Sequence, residues 1–167
     1  RLPMLEFMMD IPLLDVYAMM RSAANEYAAI GVTTAQSGGT TPELLRGLSL
    51  FGKLGVIPMR MVAFPFEDMF GDALLNGDYD PDDYNTERFS AGAVKLVADG
   101  SIQGYTGYLG LPYHTPYHGN PGYRGYPAVP RDQLFAQVEA LHRAGYQVAI
   151  HGNGDESIED ILDAFEA

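Results

Sequence analysis

Short apolar runs alternate with stretches of helical spacing along most of this chain, and that alternation limits what it can fold into. The apolar runs are "VTTAQ" (32–36), "IPMRMVAF" (57–64), "AVKLVA" (93–98) and "YQVAI" (146–150). Tyr17, Met20, Ala24, Tyr27 and Ala28 recur near the helical period, which predicts a helix over 12–30 that stops at Gly31. A second helix is expected over 42–54, with Pro42 in its first turn and Leu44, Leu45, Leu48, Phe51 and Leu54 on one side. A third runs over 130–144, between Pro130 and Gly145. The last starts at Asp155 and carries the stripe Ile158, Ile161, Leu162, Phe165. The stretch 65–90 reads as irregular and acidic, and 99–129 as one long loop. Elements in this order pack as a parallel sheet with helical crossovers.

Side-chain alternation narrows the architecture. Along 93–99, Val94, Leu96 and Ala98 share one face, while Ala93, Lys95, Val97 and Asp99 share the other. Along 146–151, Val148 and Ile150 oppose Gln147, Ala149 and His151. An open doubly wound sheet wants both faces apolar. One bulky apolar face and one face of small and polar groups fit the wall of a (β/α)8 barrel near its active end. Four strands cannot close a barrel, so the expected fold is a partial (β/α)8 TIM barrel, occupying residues 1–167 as a single segment. A start at Arg1 instead of Met, and an end within a helix, agree with that expectation.

Composition excludes several classes of function. The net charge of −12 argues against nucleic acid as a partner. No apolar run is long enough for a membrane span, and no signal peptide is evident, so the expected compartment is the cytoplasm. The absence of cysteine leaves His, Asp, Glu or a modified Lys as metal ligands.

The residues with chemical potential cluster at strand ends, where parallel α/β proteins gather their sites. Lys95 lies mid-strand, and three roles compete for it. It could pair with a carboxylate such as Asp99. As a desolvated neutral amine it could form a Schiff base. It could also add carbon dioxide to give a carbamate that bridges two divalent metals. His151, at the tip of an apolar strand, is either a metal ligand or a ring hydrogen-bonded to the glycine-rich turn behind it. Asp155 is expected to be the N-cap of the last helix. Gly152 and Gly154 would allow positive φ or close approach to the backbone. The 99–129 loop carries Tyr105, Tyr108, Tyr113, Tyr117, Tyr123 and Tyr126, residues suited either to a substrate lid or to packing the loop. His114 and His118 are four apart, but Pro116 between them spoils a helical ligand pair. His142 is expected at the surface. Neither G-x-S-x-G nor G-x-G-x-x-G occurs, so a serine hydrolase or nicotinamide enzyme has no support.

Taken together, "GVTTAQSGGT" (31–40), "VKLVADGSIQGYTGYL" (94–109), "YRGYP" (123–127) and "GYQVAIHGNGDESIEDILDAFE" (145–166) resemble the family 3 amidohydrolases, the YtcJ-like metal-dependent hydrolases. The resemblance implies a (β/α)8 barrel with a small β-sandwich built from the chain ends. It implies a metal site drawing on a His-x-His at strand 1, a strand 4 residue that is often a carboxylated lysine, histidines of strands 5 and 6, and a strand 8 aspartate. A metal-activated hydroxide would attack an amide-like carbon. On this pattern Lys95 is the strand 4 ligand and His151 the strand 5 ligand, and the four strands are barrel strands 2 to 5. The sequence departs from the pattern in having no His-x-His, no later histidine or aspartate of that kind, and no β-sandwich.

The expected function is therefore hydrolysis of C–N bonds in small, amide-like, non-peptide substrates, with one or two divalent metals, zinc being the expected ion by the ligand types. Asp99, Tyr105 and Tyr108 would line the substrate side. A catalytic zinc normally takes three protein ligands, so the segment is expected to be inactive alone and, with open sheet edges, to self-associate as a homo-oligomer. Two other readings compete: a Schiff-base lyase or aldolase on Lys95, and a non-catalytic barrel with a binding or regulatory role.

Overall fold

The computed structural model describes residues 11–167. The described residues sort into two compact units. One takes in the described chain through Ala63 together with Pro81–Ala91; the other takes in Phe64–Asp80 and Gly92–Ala167.

The first unit is built by helices α1 (Leu13–Ala29) and α2 (Pro42–Lys53) and strands β1 (Thr34–Thr40), β2 (Arg60–Pro65) and β3 (Phe89–Ala91), in sheet order β1-β2-β3. β2 and β3 run parallel, with Met61 opposite Phe89 and Ala63 opposite Ala91. The α2 start follows the sequence signal: Pro42 opens the helix, and the Thr41 hydroxyl accepts the Leu44 N–H at 3.3 Å. Leu45, Leu48 and Phe51 of α2 are buried. Phe51 packs with Ala24, Val56, Ile57 and Met59 in one apolar cluster. Apolar burial is what holds this unit together.

Two elements here differ from expectation. β1 runs on through Ser37-Gly38-Gly39 to Thr40, past the expected strand end at Gln36. Glycine has poor strand propensity, but a neighbouring strand satisfies the backbone all the same. β3 lies in a stretch read as ending an irregular segment. It has three residues, too few to show a period of two, and its start is set by side chains instead. Thr86 Oγ1 accepts the Phe89 N–H at 2.9 Å, and Asn85 Oδ1 accepts the Ala91 N–H at 2.9 Å. The rest of 65–90 contains the short helices α3 (Glu67–Phe70) and α4 (Ala73–Asn76) and a 3₁₀ turn, Pro81–Asp83.

The second unit is centred on strands β4 (Val94–Val97) and β5 (Val148–His151), which pair in parallel, and on helices α5 (Arg131–Arg143) and α6 (Asp155–Glu166). Val94, Leu96 and Ala98 are buried as the alternation requires, while Val97 on the opposite face is 39% exposed. α5 buries Leu134, Val138 and Leu141. α6 was expected to bury Ile158, Ile161, Leu162 and Phe165, but of these only Ile161 is buried. Its inner face is Ser157, Ile161 and Ala164, an i, i+4, i+7 row whose small residues let the helix come close. Arg131 of α5 ties to Asp160 and Asp163 of α6. Among the described residues, no helix is long and apolar enough to cross a membrane.

Candidate metal and substrate site

The β4–β5 register places the two expected ligands. Lys95 pairs with Ala149, and Val97 pairs with His151. Alternation then puts Lys95, Val97, Ala149 and His151 on the same face of this strand pair. Lys95 is half-buried and makes no ion pair or side-chain hydrogen bond among the described residues, so the expected alternative of a Lys95–Asp99 pair is not formed. Desolvation lowers its amine pKa below the ordinary lysine value.

His151 closes β5, and its ring is held from one side. Nε2 lies 3.0 Å from the Gly100 carbonyl oxygen. A carbonyl only accepts, so Nε2 carries the hydrogen and Nδ1 keeps the lone pair. The Asn153 amide nitrogen lies 3.2 Å from Nε2 and donates to the same carbonyl at 2.9 Å. The two readings of His151 are thus compatible, because the ring bonds the turn through one nitrogen and leaves the other free.

Asp99 does something the alternation did not reveal. It was placed on the Lys95 face, yet it is only 1% exposed, because β4 ends at Val97 and the chain turns. Its Oδ1 accepts the Asn153 N–H at 2.9 Å, and its Oδ2 accepts the N–H groups of Tyr108 and Gly154, each at 2.8 Å. The carboxylate expected to meet substrate accepts three backbone amides. Two of those amides lead into α6, where the helix dipole favours a negative charge.

Gly152 and Gly154 do not take positive φ. Gly154 is required for close approach, but to protein: a Cβ there would stand 1.8 Å from the Tyr108 carbonyl oxygen. Asp155, expected as an N-cap, is instead the first residue of α6, and Gly154 holds the cap position. The Asp155 Oδ1 accepts the Gly110 N–H at 2.9 Å, and that bond, before any other cause, lowers its carboxyl pKa below the ordinary value. Arg124 completes the latch. It donates to the Gly110 carbonyl at 3.0 Å and to the Tyr108 hydroxyl at 3.2 Å, and its guanidinium lies 5.4 Å from the Tyr108 ring centre.

The loop tyrosines pack mainly on one another. Ring centres are 4.8 Å apart for Tyr105 and Tyr113, 5.1 Å for Tyr105 and Tyr117, 4.8 Å for Tyr117 and Tyr123, and 6.1 Å for Tyr113 and Tyr123. Tyr105 itself sits at φ 57°. The Tyr123 hydroxyl donates to the Tyr105 carbonyl at 2.8 Å, and that of Tyr113 to the Gly107 carbonyl at 2.9 Å. Packing, more than an open lid, accounts for these four. His114, His118 and His142 are all exposed. Among the described residues, no group of three or more His, Asp or Glu side chains is arranged to hold a metal ion.

Comparison with known proteins gives this geometry a family. Residues 7–167 match the amidohydrolase family, and the chain belongs to it. It is 32% identical over 75 residues to the YtcJ protein of Bacillus subtilis (strain 168), which is named as an amidohydrolase; the match covers 45% of this chain and 13% of that protein. Two solved structures, both described as uncharacterized metal-dependent hydrolases, are similar in fold. That from Pyrococcus horikoshii OT3 has a TM-score of 0.72 at 25% identity, covering 93% of this chain and 31% of its own. That from Pyrococcus furiosus has a TM-score of 0.73 at 26% identity, covering 94% and 32%. The chain thus spans about a third of the length of these solved relatives.

Proposed function

We propose that this chain contributes strands 2 to 5 of a (β/α)8 barrel and part of the metal site of a hydrolase that cleaves C–N bonds in small, amide-like, non-peptide substrates. One observation carries the reading: Lys95 and His151 share a face of the β4–β5 pair, with the amine unpaired and one ring nitrogen free. The donor set suits a divalent ion such as zinc, singly or as a pair. Nδ1 of His151 is the nitrogen left for it, the other being fixed by a carbonyl in the manner of many metal-ligating histidines. Lys95 fits the site as a carbamate. Its lowered pKa enlarges the neutral amine fraction, whose lone pair bonds the carbon of carbon dioxide while a proton leaves to solvent, giving an anionic ligand. When bound, the ion supplies Lewis acidity and a water acidified to roughly neutral pKa. Two ligands fall short of the three usual for catalytic zinc, so the complete site takes others from beyond the described residues.

The remaining residues orient and enclose. Tyr105 and Tyr108 border the substrate side on a loop that Asp99, Asp155 and Arg124 hold in place. The exposed Ile158, Leu162 and Phe165 of α6 fit the self-association expected of the 167-residue chain.

The test is ¹³C NMR of the protein in ¹³C-bicarbonate with zinc present. A carbamate resonance that disappears in Lys95→Ala, together with zinc retention that falls in His151→Ala, is the expected result. No such resonance and unchanged zinc retention would remove the reading. The same unpaired Lys95 favours a second reading as a Schiff-base lyase or aldolase, and a borohydride-trapped carbonyl adduct on Lys95 would move that one ahead.

A further inference from the structure

We infer that Asp99 is the positioning residue that fixes the ring tautomer of His151. The use made of that tautomer rests on the metal-site reading above, but the geometry does not. The Asp99 side chain is fully buried, and its three amide donors come from two segments that meet at it. Asn153 and Gly154 belong to the turn that follows His151, and Tyr108 belongs to the loop that follows β4. Gly100, next to Asp99 in sequence, is held by its N–H to the Thr106 carbonyl at 3.0 Å, and its own carbonyl is the acceptor for His151 Nε2. The carboxylate thus fixes both partners of the bond that selects the tautomer, His151 through its turn and Gly100 through the backbone. It does not take the ring proton itself, since Nε2 is 3.8 Å from Oδ1, beyond hydrogen-bond distance.

Asparagine at position 99 has the right size and the wrong chemistry. Its single carbonyl oxygen best replaces Oδ2, which serves two amides, so its NH₂ falls at the Oδ1 position and faces the Asn153 N–H. Two donors then oppose each other, the turn shifts, and the Gly100–His151 bond loosens.

The experiment is ¹⁵N NMR of uniformly ¹⁵N-labelled protein at a pH above the ordinary histidine range, in the wild type and in Asp99→Asn. Wild-type His151 is expected as a single Nε2–H tautomer, its two ring-nitrogen shifts far apart, with slow hydrogen exchange at the amides of Tyr108, Asn153 and Gly154. A wild-type Nδ1–H form, or fast exchange at those amides, overturns the inference before any variant is made, so a variant that fails to fold leaves the inference testable. In folded Asp99→Asn the two shifts should converge toward the tautomer average, and the Asn153 amide should lose its protection. A variant that is merely less stable, with the wild-type tautomer intact, also overturns it. Excess zinc separates the two proposals. A tautomer that depends on Asp99, with no zinc-induced shift at Nδ1, upholds the positioning role while the metal reading falls.

Discussion

The two compact units of this chain are held together by different means. In the first, the buried side chains are mostly apolar, Leu45, Leu48, Phe51, Ile57, Met59 and Phe89 among them; buried Ser49 donates to the Tyr84 carbonyl at 2.6 Å, and the polar tip of β1 makes short-range bonds from Thr40 Oγ1 to Ser37 Oγ and from Ser37 Oγ to the Gly39 carbonyl. In the second, the ends of β4 and β5 are tied by directed bonds, with a buried carboxylate on three amides, a carbonyl on an imidazole, and an Arg124–Asp155 latch on Gly110. Apolar packing is non-directional and tolerates repacking, whereas hydrogen bonds fix positions. The unit that carries the candidate chemistry is the one built to hold geometry.

The same substitution should have opposite signs in the two regions. Gly154→Ala drives a Cβ into the Tyr108 backbone, which cannot rotate away, and should cost about 3 kcal/mol, read as a lowered denaturation midpoint. Gly47→Ala, inside α2 with nothing within 4 Å of the new carbon, should instead stabilise by about 0.5–1 kcal/mol. Equal effects at both positions would erase the contrast. The smallest effect belongs to Asp155. Its folded pKa is depressed, so the stability it adds is present above the unfolded aspartate value and is lost as pH falls through the folded one. The Tm gap between wild type and Asp155→Asn should therefore be constant near neutrality and close on acidification below about pH 4.

The signals that sequence made legible were local. Pro42 after Thr41, the glycines that end helices, and the alternation of Val94, Leu96 and Ala98 against Lys95 and Val97 depend on neighbours within a turn or a strand, and the elements lie within a few residues of expectation. The family resemblance, too, is upheld over residues 7–167. What sequence did not show was long in range. Asp99 meets its amides 9, 54 and 55 positions away, and Asp155 meets Gly110 across 45. An aspartate beside a helix start therefore read as its cap, and the three amide bonds of the buried Asp99 were not foreseen. β3 was missed because Phe89–Ala91 is too short for periodicity, and its start depends on Asn85 and Thr86, which read as ordinary polar loop.

The stacked tyrosines have a consequence for how this molecule could be watched. The chain has no tryptophan, so its near-ultraviolet emission comes from tyrosine alone. Four of those emitters sit in one loop with ring centres 4.8–6.1 Å apart, close enough for excitation to pass between them. When the stack parts, that exchange weakens and the polarisation of the emitted light rises, so the loop beside the candidate site carries its own optical gauge and needs no dye.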